Sequence, residues 1–222
     1  AVTPRETIDT VIDWAGDQSW GVAIHAVGDR AIEQTLDQFR QHHSKFKDPN
    51  QPLCLEHGIL MPRDRIDELN QLGVNLTVQT GHLYTLGSAW VEYFGESRAN
   101  RLYPLRDLID YGIKPGGGTD APVTPYDTFI SIASDMTRAT NTGDILGENH
   151  SITPLEALKM HTKWAAGITQ EHHLKGSIVE GKRADFAILS DDPLSVEPEQ
   201  HNEISCEMTV LNGSMVYTTT PR

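Results

Sequence analysis

The chain has 222 residues, 38% hydrophobic and 22% charged, with a formal net charge of -13. That length allows one substantial domain or a domain with part of another, and the acidity argues against a nucleic-acid partner, which calls for clustered Lys and Arg. No apolar run approaches the roughly 20 residues of a membrane helix, and Cys54 and Cys206, far apart and without CxxC spacing, indicate neither a disulfide framework nor a cysteine zinc knot.

The sequence opens Ala1-Val2-Thr3-Pro4, without methionine and without the charged, apolar, small-residue order of a signal peptide. It reads as starting within a longer protein, with the cytoplasm as the favoured compartment. Thr3-Pro4-Arg5-Glu6 predicts a capped helix start with Ile8, Val11, Ile12 and Ala15 on one face. A buried strand follows over 20–27, Gly28-Asp29 turns the chain, and Ala31, Ile32, Leu36 and Phe39 recur at helical spacing. His42 to Pro52 is polar loop. A strand over 53–59, a helix opened by Pro62 and closed by Gly73, and a strand over 74–79 come next. The stretch 80–100 has no sustained period and is expected to be a long functional loop, with Trp90, Tyr93 and Phe94 as either a pocket wall or the loop's own small core. A helix over 101–111, a glycine strand ending at Asp120, a helix opened by Thr124-Pro125 and a helix opened by Thr153-Pro154 complete this part.

Beyond Gly176 the character changes to strands, with Asn212-Gly213 as a hairpin turn. The expected division is 1–175 as a partial (β/α)8 barrel and 176–222 as part of a β-sandwich. The expected fold is α/β: strand and helix alternate four times at roughly 30-residue spacing, about half the content of a full eight-unit barrel. An open doubly wound sheet is the alternative, but its GxGxxG fingerprint is missing.

Three strands end in a polar side chain: Val22-Ala23-Ile24 in His25, Leu53-Cys54-Leu55-Glu56 in His57, and Gly116-Gly117-Gly118-Thr119 in Asp120. Two imidazoles and a carboxylate at strand ends form a metal-ligand set with zinc as the leading candidate. His42, His43, His172, His173 and His201 lie in polar stretches and are expected at the surface, while His150 and His161 have no strand-end position and stay outside the site.

These segments resemble motifs of the amidohydrolase superfamily, in its branch of YtcJ-like and N-acyl-D-amino-acid deacylase-like proteins. Ile24-His25-Ala26-Val27-Gly28-Asp29-Arg30-Ala31 is similar to the fifth-strand motif, Leu55-Glu56-His57-Gly58 to the sixth, and Thr119-Asp120-Ala121-Pro122 to the eighth-strand Ser-Asp-Ala-Pro. The run Lys175-Gly176-Ser177-Ile178, with Gly181-Lys182 and Ala184-Asp185, resembles the signature where the barrel gives way to the sandwich. The resemblance implies strands five to eight of a TIM barrel, with His25, His57 and Asp120 as metal ligands. It also implies Asp120 as the catalytic proton shuttle, with one or two zinc or other divalent ions in a complete site. Because no HxH pair occurs, the chain is expected to be the C-terminal portion of such an enzyme, inactive alone. Its expected partners are a small-molecule substrate and the missing N-terminal half, with a homo-oligomer as a further possibility.

A lone buried histidine is more often a satisfied core residue than a ligand; the motif order is what makes His25 and His57 expected ligands. His82, just past the seventh strand, is expected either to polarise the substrate carbonyl or line the pocket, or else to lie on a surface loop. The expected reaction is hydrolysis of an amide or other non-peptide C–N bond. Deamination of a ring amine would use the same ligands, and a non-catalytic binding module is the alternative of a different class.

Overall fold

The computed structural model describes residues 2–48 and 50–219. Ala1, Pro49 and residues 220–222, which fall within the expected units and loop, lie outside the described residues. Among the described residues, four parallel strands, β1 (Val22–Ala26), β2 (Leu53–His57), β3 (Asn75–Val78) and β4 (Gly116–Gly117), pair in chain order. Each strand pairs with the next and the order never reverses, so the crossover of an open doubly wound sheet is absent from this sheet.

Helices join these strands because their apolar positions recur at helical spacing. α1 (Arg5–Asp17) buries Ile12 and Ala15, and α2 (Asp29–His42) buries Ile32, Leu36 and Phe39. α3 (Ile66–Leu72) stops at Gly73, whose left-handed φ of 61° closes the last turn. The core they cover includes Leu55, Leu69, Leu76 and Leu83, each no more than 1% exposed.

Several boundaries differ from the sequence expectation. Pro4 rather than Thr3 occupies the cap of α1, and no side chain caps it. The largest difference is the stretch expected to be a loop: it is α4 (Gly81–Phe94) followed by α5 (Glu96–Ala99). Its glycines are close-approach points: a Cβ on Gly87 would come within 2.6 Å of Thr140, and one on Gly81 within 3.0 Å of Ser131. α6 (Leu105–Asp110) begins later than Arg101, after Tyr103 and Pro104 break the backbone path. α7 (Thr128–Thr137) is capped by Asp127, which accepts from the Phe129 N–H, while Thr124 donates to the Thr119 carbonyl instead.

The helix 154–168 opens with a complete Thr153–Glu156 capping box, as expected. It runs as α8 (Pro154–Lys159), a π-helical turn (Met160–Trp164) and α9 (Ala165–Ile168). It packs on β4, where the glycines are needed: a Cβ on Gly116 would meet Ile168 at 2.8 Å and one on Gly117 would meet the His161 ring at 2.6 Å.

A three-stranded antiparallel sheet follows, β5 (Phe186–Leu189), β6 (Cys206–Leu211) and β7 (Ser214–Thr218), with β6 in the centre. Asn212 and Gly213, at φ of 49° and 80°, make the β6–β7 turn. Two of the histidines expected at the surface are buried. His42 bridges Asp9 and Asp13 at 2.9 Å each, and His201 lies between the carbonyls of Glu197 and Pro193 at 3.1 and 2.7 Å. Polar flanks concealed both, because buried imidazoles are tolerated where both ring nitrogens find partners. Among the described residues, no helix is long and apolar enough to cross a membrane.

Candidate metal centre

The parallel strands place His57 as the last residue of β2, in register with Ala26, one residue beyond His25 on β1. The His25 and His57 rings meet edge to face with centroids 4.5 Å apart. The glycine strand expected to end at Asp120 stops at Gly117, so Asp120 lies beyond β4; it and His57, the last residue of β2, are in the left-handed region at φ of 57° and 77°, a conformation that costs a non-glycine residue of order 1 kcal/mol and clusters at functional sites. One ligand atom each from His57, His82 and Asp120 lie within 4.8 Å of one another, with both imidazoles buried and the carboxylate exposed. Of the residues singled out from the sequence, these three converge, while the more exposed His25 stands against the His57 ring.

A chain of hydrogen bonds settles the tautomer of His57. Glu56, an acceptor when ionised, receives a hydrogen bond from the Thr77 hydroxyl, and the Thr77 oxygen accepts from the Gln79 amide nitrogen at 3.2 Å. That turns the Gln79 carbonyl oxygen to His57 Nδ1, 2.7 Å away. Nδ1 donates, so Nε2 keeps its lone pair for a cation, the arrangement that orients metal-binding histidines in general. Gln79 was not singled out from the sequence, although its position at the end of a strand is the same signal that identified His25, His57 and Asp120.

His82 sits in the first turn of α4. Its Nδ1 lies 3.0 Å from the Tyr103 hydroxyl. Its Nε2 is 3.5 Å from an Asp120 carboxylate oxygen and has no hydrogen-bond partner among the described residues. Burial lowers the His82 pKa; the Asp120 carboxylate opposes that effect and His57 adds to it, leaving the value below the ordinary one. Tyr103, wholly buried, was read from the sequence only as part of a helix. Burial and then the Asp120 carboxylate push its phenol well above the ordinary value.

His161 and Asp135 form a second buried pair, 3.5 Å apart, behind β4. His150 is buried elsewhere. Neither histidine is among the three that converge. His57 and Asp120 in reach of one another, with the His57 imidazole held by an amide and the His25 ring beside it, fit a zinc-class cation.

The profile described as the amidohydrolase family matches residues 1–217. Putative amidohydrolase YtcJ of Bacillus subtilis is 31% identical over 216 residues, covering 96% of this chain and 40% of its own length. N-substituted formamide deformylase of Arthrobacter pascens is 26% identical, over 88% of this chain and 36% of its own length. An uncharacterised metal-dependent hydrolase of Pyrococcus horikoshii OT3 superposes with a TM-score of 0.76 at 27% identity, covering 90% of this chain and 40% of that one. The chain thus spans well under half the length of these relatives. With a family match over nearly its whole length, the chain belongs to the amidohydrolase family.

Proposed function

We propose that His25, His57 and Asp120 hold a divalent cation, zinc first among the candidates, in an enzyme that hydrolyses an amide or other non-peptide C–N bond of a small molecule. The observation that carries this is His57 at the end of β2, its Nδ1 held by Gln79, its ring in reach of the Asp120 carboxylate and against the His25 imidazole. Family membership supports the hydrolase class, and the formamide deformylase relative supports the C–N bond.

A cation bound here supplies Lewis-acid polarisation of a carbonyl and acidifies water. The chain's own residues do the rest. Asp120, part-exposed at the mouth, accepts a proton at its carboxylate and returns it to the departing nitrogen. His82 Nε2, facing Asp120, is placed to hydrogen-bond the substrate carbonyl oxygen.

The four parallel strands are proposed to be strands five to eight, half the wall of an eight-stranded barrel. Residues 1–175 belong to it and 176–222 to a separate β unit. Support comes from the unreversed strand order and from the 40% share of the YtcJ relative that the chain covers. The other half of the wall is supplied by the rest of a longer protein or by a second copy, and the segment alone is proposed to be inactive.

Elemental analysis of the complete protein tests the metal reading. A His25→Ala, His57→Ala double variant is expected to lose its cation and its hydrolysis of N-formyl and N-acyl amines. An unchanged metal content in that variant would remove the assignment.

A further inference from the structure

We infer that Tyr103 is a positioning residue that fixes His82 with its proton on Nε2, which makes His82 a hydrogen-bond donor in the site and not a ligand of the cation. The question matters because distance alone allows the other answer: His82 is one of the three residues whose ligand atoms lie within 4.8 Å. What decides it is the proton inventory of the buried groups.

Tyr103 is fully buried, and its hydroxyl has one proton to give. Among the described residues His82 Nδ1, 3.0 Å away, is the one hydrogen-bond partner of that hydroxyl, so the buried proton is satisfied only by donation to Nδ1, and the N–H left on Nε2 then faces the Asp120 carboxylate oxygen 3.5 Å away. An imidazole that accepts at Nδ1 carries its proton at Nε2. A ring nitrogen bearing a proton has no in-plane lone pair for a metal. His57 shows the opposite arrangement, donating at Nδ1 to Gln79 and leaving Nε2 bare. The two neighbouring imidazoles, with ring centroids 5.9 Å apart, are thus set in opposite tautomers.

Tyr103 is itself held rigidly. Its backbone is left-handed at φ 47°, its N–H donates to the Ile59 carbonyl at 2.8 Å, and its carbonyl accepts from Arg138 at 3.3 Å. Arg138 is fully buried at the end of α7 and also donates to the carbonyls of Leu102 and Leu146 at 2.5 and 3.0 Å. A buried guanidinium is costly, and among the described residues this one donates only to the backbone around Tyr103 and the loop beside it. The bond to Ile59, two residues beyond His57, ties the phenol to the end of β2, so His57 and His82 are positioned from one frame.

The donor role toward substrate rests on the function proposed above; the tautomer does not. Long-range proton–nitrogen NMR of the histidine side chains, with His82 assigned by its loss in His82→Gln, reads the tautomer directly. Wild type is expected to show a protonated Nε2 and an acceptor Nδ1 on His82. Tyr103→Phe, checked for fold by its melt, is expected to show a mixture of tautomers, because the donor to Nδ1 is gone. Zinc titration of the complete protein is expected to give an unchanged affinity in His82→Gln and a large loss in His57→Gln. A protonated Nδ1 on wild-type His82, or a loss in His82→Gln as large as that in His57→Gln, would overturn the inference, and both readings are available even if Tyr103→Phe does not fold. Absence of zinc binding in wild type would count against the proposed function while leaving the tautomer result to stand.

Discussion

Nδ1 of His57 lies 2.7 Å from Oε1 of Gln79, and the polar chain from Glu56 through Thr77 decides which way that amide faces. Replacing Gln79 by Leu removes the group that fixes the His57 ring. Zinc affinity of the complete protein is expected to fall by about 10–100-fold, the usual effect of losing such an outer partner, as read by competition with a chromogenic chelator. Gln79→Glu keeps an acceptor toward Nδ1 and should lose less. Equal affinities in wild type and Gln79→Leu would show that the ring is oriented without the amide.

Asp120 has a 40% exposed side chain, so its amide analogue adds no burial problem. Asp120→Asn is expected to lower turnover by at least about 10²-fold, the contribution of a general acid or base, with the thermal midpoint nearly unchanged. A variant that turns over normally would make the carboxylate a turn residue.

Burial alone would raise the Glu156 pKa, yet hydrogen bonds from the Thr153 N–H and hydroxyl and from the Arg106 guanidinium outweigh it and hold the value below 4.5. A carboxyl with a folded pKa below its unfolded one stabilises the fold above the unfolded value, and loses that contribution as the pH falls through the folded value. Glu156→Gln is therefore expected to cost roughly 0.5–1 kcal/mol at neutral pH. The gap from wild type should close below pH 4.5. Denaturant midpoints at a series of pH values measure it, and a gap that stays constant with pH would remove the charge from the account.

Burial, with the Glu56 carboxylate beside it, pushes the Cys54 thiol well above its ordinary value. The half-buried Cys206 has no such neighbour among its hydrogen-bond partners, the Met208 carbonyl and the Thr209 hydroxyl. A thiol reagent at pH 8 should label Cys206 first and reach Cys54 only in denaturant, because the thiolate is the reactive form. Equal native rates would mean that β2 opens readily.

The strands of His25 and His57 were legible because short, largely apolar runs lead to each, whereas the glycine strand expected to end at Asp120 pairs only over Gly116–Gly117; the order of the motifs named the family. α4 was not legible. Gly81 and Gly87 look like loop residues until the neighbours they admit, Ser131 and Thr140, are known, and those lie about fifty residues away in sequence. Tyr103 and Arg138 were hidden for the same reason. Their roles come from carbonyls and an imidazole brought to them by the fold, with no local pattern to mark either. The polar setting of His42 concealed its burial, since Asp9 and Asp13 arrive from another helix.

The π turn Met160–Trp164 has a bearing on the history of the chain. Such a turn absorbs one additional residue locally and lets the regular helix resume on each side. An insertion there could therefore be accepted while the Thr153 cap stayed in place at one end and Ile168 stayed against Gly116 at the other. A relative that is one residue shorter at this point should keep both ends of the helix in place and differ in what faces Gly117, where this chain has His161.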